Sequence, residues 1–289
     1  MMEEEASFYT VGKDGVQCRL CPHHCRIKEG SRGLCRSREC RDGKLYALSY
    51  GMPCALAIDP VEKKPLYEFM PGTKCLSLSC TGCNLSCRWC QNSDISQVAP
   101  EQSDRYQVTP GEMVDLCLQR GLPSIAYTYT EPFTWWEYMC DIAVLAREKG
   151  LRNILVSAGY VEKEPLDELL PYLDAANIDI KAMDDGFYRK YCGATLAPVL
   201  ENIIAMVHAG VHVEITNLLV TGLNDSEEQI LALCTWMADN GLQNVPLHFS
   251  RFFPRYKFTS AAPTARETLL SARRIAQSLG IRTVYLGNV

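Results

Sequence analysis

Cys83, Cys87 and Cys90 stand in the run Ser79-Cys-Thr-Gly-Cys-Asn-Leu-Ser-Cys-Arg-Trp-Cys-Gln-Asn92, a C-x-x-x-C-x-x-C spacing directly after an apolar segment. Three thiolates on one short loop can hold three irons of a four-iron, four-sulfur (4Fe-4S) cluster. The fourth iron is then left open for chemistry. Gly82 and Asn84 suit a tight, cluster-wrapping loop, and Trp89 sets an aromatic ring directly before the last cysteine. A structural zinc knuckle is the competing use of the same spacing.

A second set lies upstream. Cys18, Cys21, Cys25 and Cys35 form C-x-x-C-x-x-x-C-x9-C, with Cys40 and Cys54 beyond. Four thiols set among Pro22, Gly30 and Gly33 can fold a metal ribbon that would otherwise lack a core. Zinc and an auxiliary iron–sulfur cluster both satisfy this pattern. His23 and His24 can stand in for a cysteine or serve as exposed loop residues. Cys75 and Cys80 do not complete the main pattern and read as core thiols. Cys117, Cys140, Cys192 and Cys234 fall in or beside helices and read as buried small hydrophobes.

Composition narrows the setting. At 289 residues and 47% hydrophobic, the chain can bury one large α/β domain plus a small appendage. A net charge of −5 gives no support to bulk electrostatic binding of nucleic acid or an anionic membrane. No stretch approaches the roughly 20 apolar residues of a membrane span, and the start Met-Met-Glu-Glu-Glu-Ala lacks the pattern of a signal peptide. A cytoplasmic location is expected. In that reducing compartment 15 cysteines, an odd number, serve better as metal ligands than as disulfides.

The residues that must be positioned call for a scaffold. Strand-like runs are Cys75-Leu-Ser-Leu-Ser, Ser124-Ile-Ala-Tyr-Thr-Tyr, Asn153-Ile-Leu-Val-Ser, Ala176-Asn-Ile-Asp-Ile-Lys, Val213-Glu-Ile-Thr-Asn-Leu-Leu-Val, Pro246-Leu-His-Phe-Ser and Thr283-Val-Tyr-Leu. Helical patterns fall at 110–120, 132–149, 164–172, 195–209, 225–240 and 263–279. Cap chemistry opens two of them, at Asn224-Asp225-Ser-Glu-Glu and at Thr264 three residues before Glu267. Regular strand–helix alternation predicts an α/β fold, a partial (β/α)6-type TIM-like barrel with parallel strands over residues 73–289. A Cys-rich metal-binding lobe and lead-in segment occupy residues 1–72.

Parallel α/β sheets bind ligands at the carboxyl ends of their strands. The cysteine loop follows the first strand run. Thr130 and Glu131 end the second, Ser157-Ala-Gly159 the third and Asp179-Ile-Lys181 the fourth. Glu214 to Asn217 lie on the fifth, and His248 to Arg251 end the sixth. One polar cluster per strand end exceeds what packing requires. Singly, Asp179 and Lys181 suit a buried ion pair, and His248 suits a structural histidine.

These strings resemble the radical S-adenosylmethionine superfamily, in the branch of the glycyl-radical activating enzymes such as pyruvate formate-lyase activating enzyme. Within it, the chain most resembles the radical enzyme of the AmmeMemoRadiSam system. The resemblance runs through Cys18-Arg-Leu-Cys-Pro-His-His-Cys25, Asp59-Pro-Val-Glu-Lys-Lys-Pro-Leu-Tyr67, Gly82-Cys-Asn84, Cys90-Gln-Asn92, Asp185-Gly-Phe-Tyr188, Pro246-Leu-His-Phe-Ser-Arg-Phe252 and Tyr285-Leu-Gly-Asn-Val289. It implies that S-adenosylmethionine chelates the open iron of the 4Fe-4S cluster held by Cys83, Cys87 and Cys90. One electron, from a donor such as flavodoxin or ferredoxin, then releases methionine and a 5′-deoxyadenosyl radical that abstracts hydrogen from a substrate, a protein or a small molecule.

The same resemblance assigns Glu131 with Thr130 to the amino group, Lys181 to the carboxylate, and Ser157 with Gly159 to the ribose. Trp89 and Asp179 join the cofactor side, and His248 faces cofactor or substrate. The activating enzymes carry an Asp and an Asn where this chain has Val156 and Ala158. A glycyl-radical activase acting on a partner protein is one specific form of the function. A non-catalytic metal-binding or electron-transfer module is the other class, and it has no need of Glu131, Lys181 and His248.

Overall fold

Continuous apolar runs such as Ser124–Tyr127, buried at every residue, have no solvent face and form strands covered on both sides. The structure, a computed structural model, describes residues 4–289, so the Met1–Glu3 part of the start read above for a leader lies outside the described residues. The amino-terminal lobe carries β1 (Tyr9–Gly12), β2 (Gly15–Cys18) and β3 (Arg26–Lys28) as one antiparallel sheet. A hairpin of β4 (Arg38–Arg41) and β5 (Lys44–Ala47) follows. The main sheet contains β6 (Pro53–Pro60), β7 (Lys74–Cys80), β8 (Ser124–Tyr127), β9 (Arg152–Ser157), β10 (Ala175–Asp179), β11 (His212–Leu219), β12 (Leu247–Arg251) and β13 (Val284–Gly287).

These strands lie side by side in chain order. β7 to β13 are parallel, and β6 pairs antiparallel with β7 at one edge. The ends β6 and β13 do not pair, so the barrel is partial, as the alternation predicts. The helices are α1 (Ser93–Ser96), α2 (Pro110–Gln119), α3 (Trp136–Glu148), α4 (Lys163–Leu169), α5 (Asp185–Phe187), α6 (Ala197–His208), α7 (Glu227–Asp239) and α8 (Arg266–Ser278). Among the described residues no helix is long and apolar enough to cross a membrane.

Local chemistry explains the helix starts. Thr109 and Glu112 form a reciprocal capping box on α2, and Ser226 accepts from the Gln229 amide on α7. Thr264 does not cap α8. Its hydroxyl donates to the Leu219 carbonyl (2.5 Å) and accepts from the Phe252 amide (3.0 Å), a fully buried tie between β11 and the chain after β12.

The lead-in also differs from expectation. Pro53–Pro60 is already a sheet strand, and the stretch from Val61 to Thr73 crosses the barrel interior as a strap. Asn177 donates to the Pro65 carbonyl (2.8 Å), and the Tyr67 and Glu68 amides donate to Glu214 (3.1 and 2.8 Å). The strap thus covers the inward side chains of β10 and β11 in the lower half of the barrel, leaving the carboxyl ends of the strands open.

Candidate functional site

A cavity of about 620 Å³ opens at those carboxyl ends. Cys83, Cys87 and Cys90, on the loop between β7 and α1, all line it and are each half-buried. Short polar contacts hold the loop. The Leu85 amide donates to the Cys83 sulfur (3.4 Å), and Cys90 contacts the Ser96 hydroxyl (3.2 Å). The Ser86 amide donates to the Cys192 carbonyl (2.7 Å), docking the loop on the π-helical turn Tyr188–Cys192. Cys192, read above as a buried small hydrophobe, also reaches the site through Cys87. Its thiol hydrogen-bonds Cys87 and, with Lys181 nearby, holds the Cys87 thiol below its ordinary value. Three converging thiols facing one open cavity fit a cluster with a free iron.

Glu131 reaches the same cavity from the turn after β8 and is only 2% exposed. One oxygen accepts from the Ser157 hydroxyl (2.7 Å) and the other from the Ala158 amide (2.9 Å). Burial dominates these hydrogen bonds and pushes the carboxyl up to about 7. The Ala158 position, where the activating enzymes carry another residue, therefore serves through its backbone. Thr130 holds the turn by donating to the Cys80 carbonyl (2.7 Å).

Asp179 and Lys181 form the buried ion pair (2.7 Å) that the bland alternative expects, yet both also line the cavity. Burial alone would lower Lys181, but Asp179 and the Cys87 sulfur hold its ammonium charged. Trp89 is 4% exposed and packs against Phe187 (5.5 Å between ring centroids), with part of the indole in the cavity wall. Gly159 does not line the cavity. Its φ of +66° and an Ile178 methyl 3.1 Å from any added Cβ give it a structural reason.

His248 is likewise absent from the cavity wall. It sits lower in the barrel, bonded to Glu214 (2.6 Å) and stacked on Tyr285, with Tyr67 of the strap edge-on. Burial would raise Glu214, but hydrogen bonds from His212, His248 and the strap amides bring its carboxyl down to about 2. Ser250, two residues along β12 on the same face, takes the wall position expected of His248. Trp135, Trp136 and Tyr138 are buried away from the cavity.

Other wall residues lie within strings quoted above without a role of their own, Asn92, Tyr129 and Thr216, and Lys63, which as sequence suits either a solvated face or the barrel mouth, lines the wall as well. Asn92 donates to the Tyr129 carbonyl (2.7 Å), and Tyr129 is held in the left-handed region at φ +67°. Its hydroxyl bonds Asp59, which also pairs with the buried Lys64 (2.6 Å). The signal for Thr216 was the inward alternation of Glu214, Thr216 and Leu218 on β11.

In the lobe, Cys18, Cys21, Cys25 and Cys35 line one narrow cavity together with Arg38, His23 and Asn84. Cys40 instead faces Glu29 (3.6 Å), and Cys54 faces the Ser79 carbonyl (3.4 Å). His24 pairs with Glu162 (2.9 Å), whereas His23 bonds the Asn84 carbonyl (2.7 Å). Among the described residues, no group of three or more His, Cys, Asp or Glu side chains is drawn together around a single-ion position.

A sheet of this order, with a three-cysteine loop after its first parallel strand and charged groups on the next strand ends, defines a class. The radical SAM superfamily pattern matches residues 78–237, and the chain belongs to that superfamily. It is an enzyme family whose members use a 4Fe-4S cluster and S-adenosylmethionine. The chain is 48% identical over 286 residues to an uncharacterized protein of Methanocaldococcus jannaschii, covering 99% of this chain and 85% of that one. It is 28% identical over 158 residues to the pyruvate formate-lyase-activating enzyme of Clostridium pasteurianum, spanning 53% of this chain and 64% of the relative, under two thirds of its length. A radical SAM methyltransferase from Sphaerobacter thermophilus shares the fold with a TM-score of 0.56 at 18% identity, over 76% of this chain and 68% of that one.

Proposed function

We propose that the chain reductively cleaves S-adenosylmethionine in the barrel mouth and directs the product radical to a hydrogen donor bound there. The observation that carries this is the convergence of Cys83, Cys87, Cys90, Glu131 and Lys181 on one cavity. Cys83, Cys87 and Cys90 would hold the cluster, which when bound would supply the electron for reductive cleavage of the sulfonium. The chain's own residues do the positioning. Glu131 offers a carboxylate to the methionine ammonium, and burial makes that charge-assisted pair stronger than it would be in water. Lys181, kept cationic by Asp179, faces the methionine carboxylate. Ser157 orients Glu131, and Trp89 shields the last cysteine from water.

The hydrogen donor is a protein segment or a small molecule. The relatives named as activating enzymes, such as that of Clostridium pasteurianum, favour a protein backbone donor and a flavodoxin- or ferredoxin-type reductant. A purely electron-carrying role leaves Glu131 and Lys181 without a task.

The test uses anaerobically reconstituted protein beside the Cys83→Ala/Cys87→Ala/Cys90→Ala variant. Both are reduced with dithionite, given S-adenosylmethionine and assayed for 5′-deoxyadenosine. Nucleoside is expected from the wild type alone. A wild type with a full cluster that neither binds nor cleaves S-adenosylmethionine overturns the proposal.

A further inference from the structure

We infer that Cys18, Cys21, Cys25 and Cys35 hold a second iron–sulfur cluster, built into the back of the loop that carries Cys83, Cys87 and Cys90. The four sulfurs come from the last residue of β2, the turn after it, the entry to β3 and the loop before β4. They meet because the Cys18 amide donates to the Cys25 carbonyl (3.0 Å) and the Gly33 amide to the Arg38 carbonyl (3.0 Å). A Cβ placed on Gly33 would lie 3.7 Å from both the Cys25 and the Cys35 sulfur, so these two thiols face the same side of the loop.

A second observation points to an anionic occupant. Arg38 is 1% exposed and lies in the wall of the same cavity. One end of its guanidinium donates to the Ser7 carbonyl (2.8 Å), and another nitrogen pairs with Glu137. Its Nε has no hydrogen-bond partner, nor does the second oxygen of Glu137, and a thiolate-ligated centre of net negative charge suits this buried cation.

The ligand spacing favours a cluster over one ion. A structural zinc draws four sulfurs to about 2.3 Å from the metal, and among the described residues no three such side chains converge on a single-ion position. The location agrees. Asn84, directly after Cys83, contributes its side chain to this cavity, while Cys83 lines the main one. Gly82 packs so closely on the lobe that an added Cβ would sit 2.6 Å from the Cys35 carbonyl oxygen. The two thiol sets share one stretch of backbone as a wall.

This inference stands apart from the radical chemistry, and its test reads metal rather than turnover. The Cys83→Ala/Cys87→Ala/Cys90→Ala variant, reconstituted anaerobically, is expected to keep about four irons and about four sulfides per chain, with no stoichiometric zinc. Dithionite reduction should give it an electron-paramagnetic signal that S-adenosylmethionine does not shift. In the complementary Cys25→Ser/Cys35→Ser chain, iron should fall from about eight to about four. The remaining signal should be the one that S-adenosylmethionine perturbs. One zinc per chain without sulfide in the first variant overturns the inference. So does a wild type that saturates at about four irons.

Discussion

Glu131→Gln separates what burial does to this carboxyl from what the carboxylate does for the cofactor. In the folded protein its value is about 7, against 4.5 for a free glutamate. A raised value means that the unfolded chain gives up this proton first. Stability therefore falls as pH rises through the window from 4.5 to about 7, and is level outside it. The span of about 2.5 units at about 1.36 kcal/mol each comes to on the order of 3 kcal/mol. Glutamine has the shape of the protonated acid, so it matches the wild type near pH 4.5 and is more stable by on the order of 3 kcal/mol at pH 8.

Denaturant titrations of the metal-free, reduced protein from pH 5 to pH 8 measure this difference. In the reconstituted protein the same variant should bind S-adenosylmethionine at least tenfold more weakly, since hydrogen bonds to charged groups contribute about 1.5–3 kcal/mol. A stability difference flat with pH would refute the burial argument. Unchanged binding would refute the assignment of Glu131 to the ammonium.

Two further perturbations test the frame around the site. Glu214→Gln should be destabilised by on the order of 3 kcal/mol at neutral pH. The depressed carboxyl, at about 2, contributes stability above 4.5 that is lost as pH falls through 4.5 toward 2. Acid titrations of the two proteins should therefore converge, and parallel curves would count against the strap account. Gly82→Ala places a Cβ 2.6 Å from the Cys35 carbonyl oxygen at a φ of +107°. It should cost on the order of 2–3 kcal/mol and lower the iron retained after reconstitution, and wild-type stability in this variant would contradict the shared wall.

The parallel sheet was legible because short strand runs, β8, β9 and β10 among them, alternate regularly with helical patterns. Glu131, Asp179 and Lys181 were legible for a related reason: charged residues at the carboxyl ends of such strands have nowhere to go but the mouth. His248 was not. It and Ser250 share one face of β12, and which of them meets the cavity depends on how far up the barrel the strap fills. That depth is set by Glu214 meeting the Tyr67 and Glu68 amides, a contact between residues nearly 150 positions apart that no local pattern carries. Thr264 looked like a cap for the same reason that it is not one. A buried hydroxyl bonds whichever backbone groups lack partners, and here those belong to β11 and to the chain after β12.

The lobe and the barrel are best understood as one site support. An open partial barrel leaves its cysteine loop exposed on the side away from the cavity, and a loop with mobile ligands would hold a cluster poorly. Here that side is closed three times over. The Asn84 amide donates to the Tyr160 carbonyl (2.8 Å), His23 of the lobe bonds the Asn84 carbonyl, and Gly82 rests on the Cys35 backbone. Below the loop, Ser37 donates to the Thr134 carbonyl (3.1 Å), while Glu137 on α3 binds the Ser7 amide (2.8 Å) and Arg38. All of these contacts except the Asn84–Tyr160 bond join the lobe either to the cysteine loop or to the helical segment that follows Glu131. The residues that order the lobe therefore also fix the thiols and the carboxylate that face the cavity, which is why the cysteine-rich lobe belongs to the active site's architecture rather than to a separable appendage.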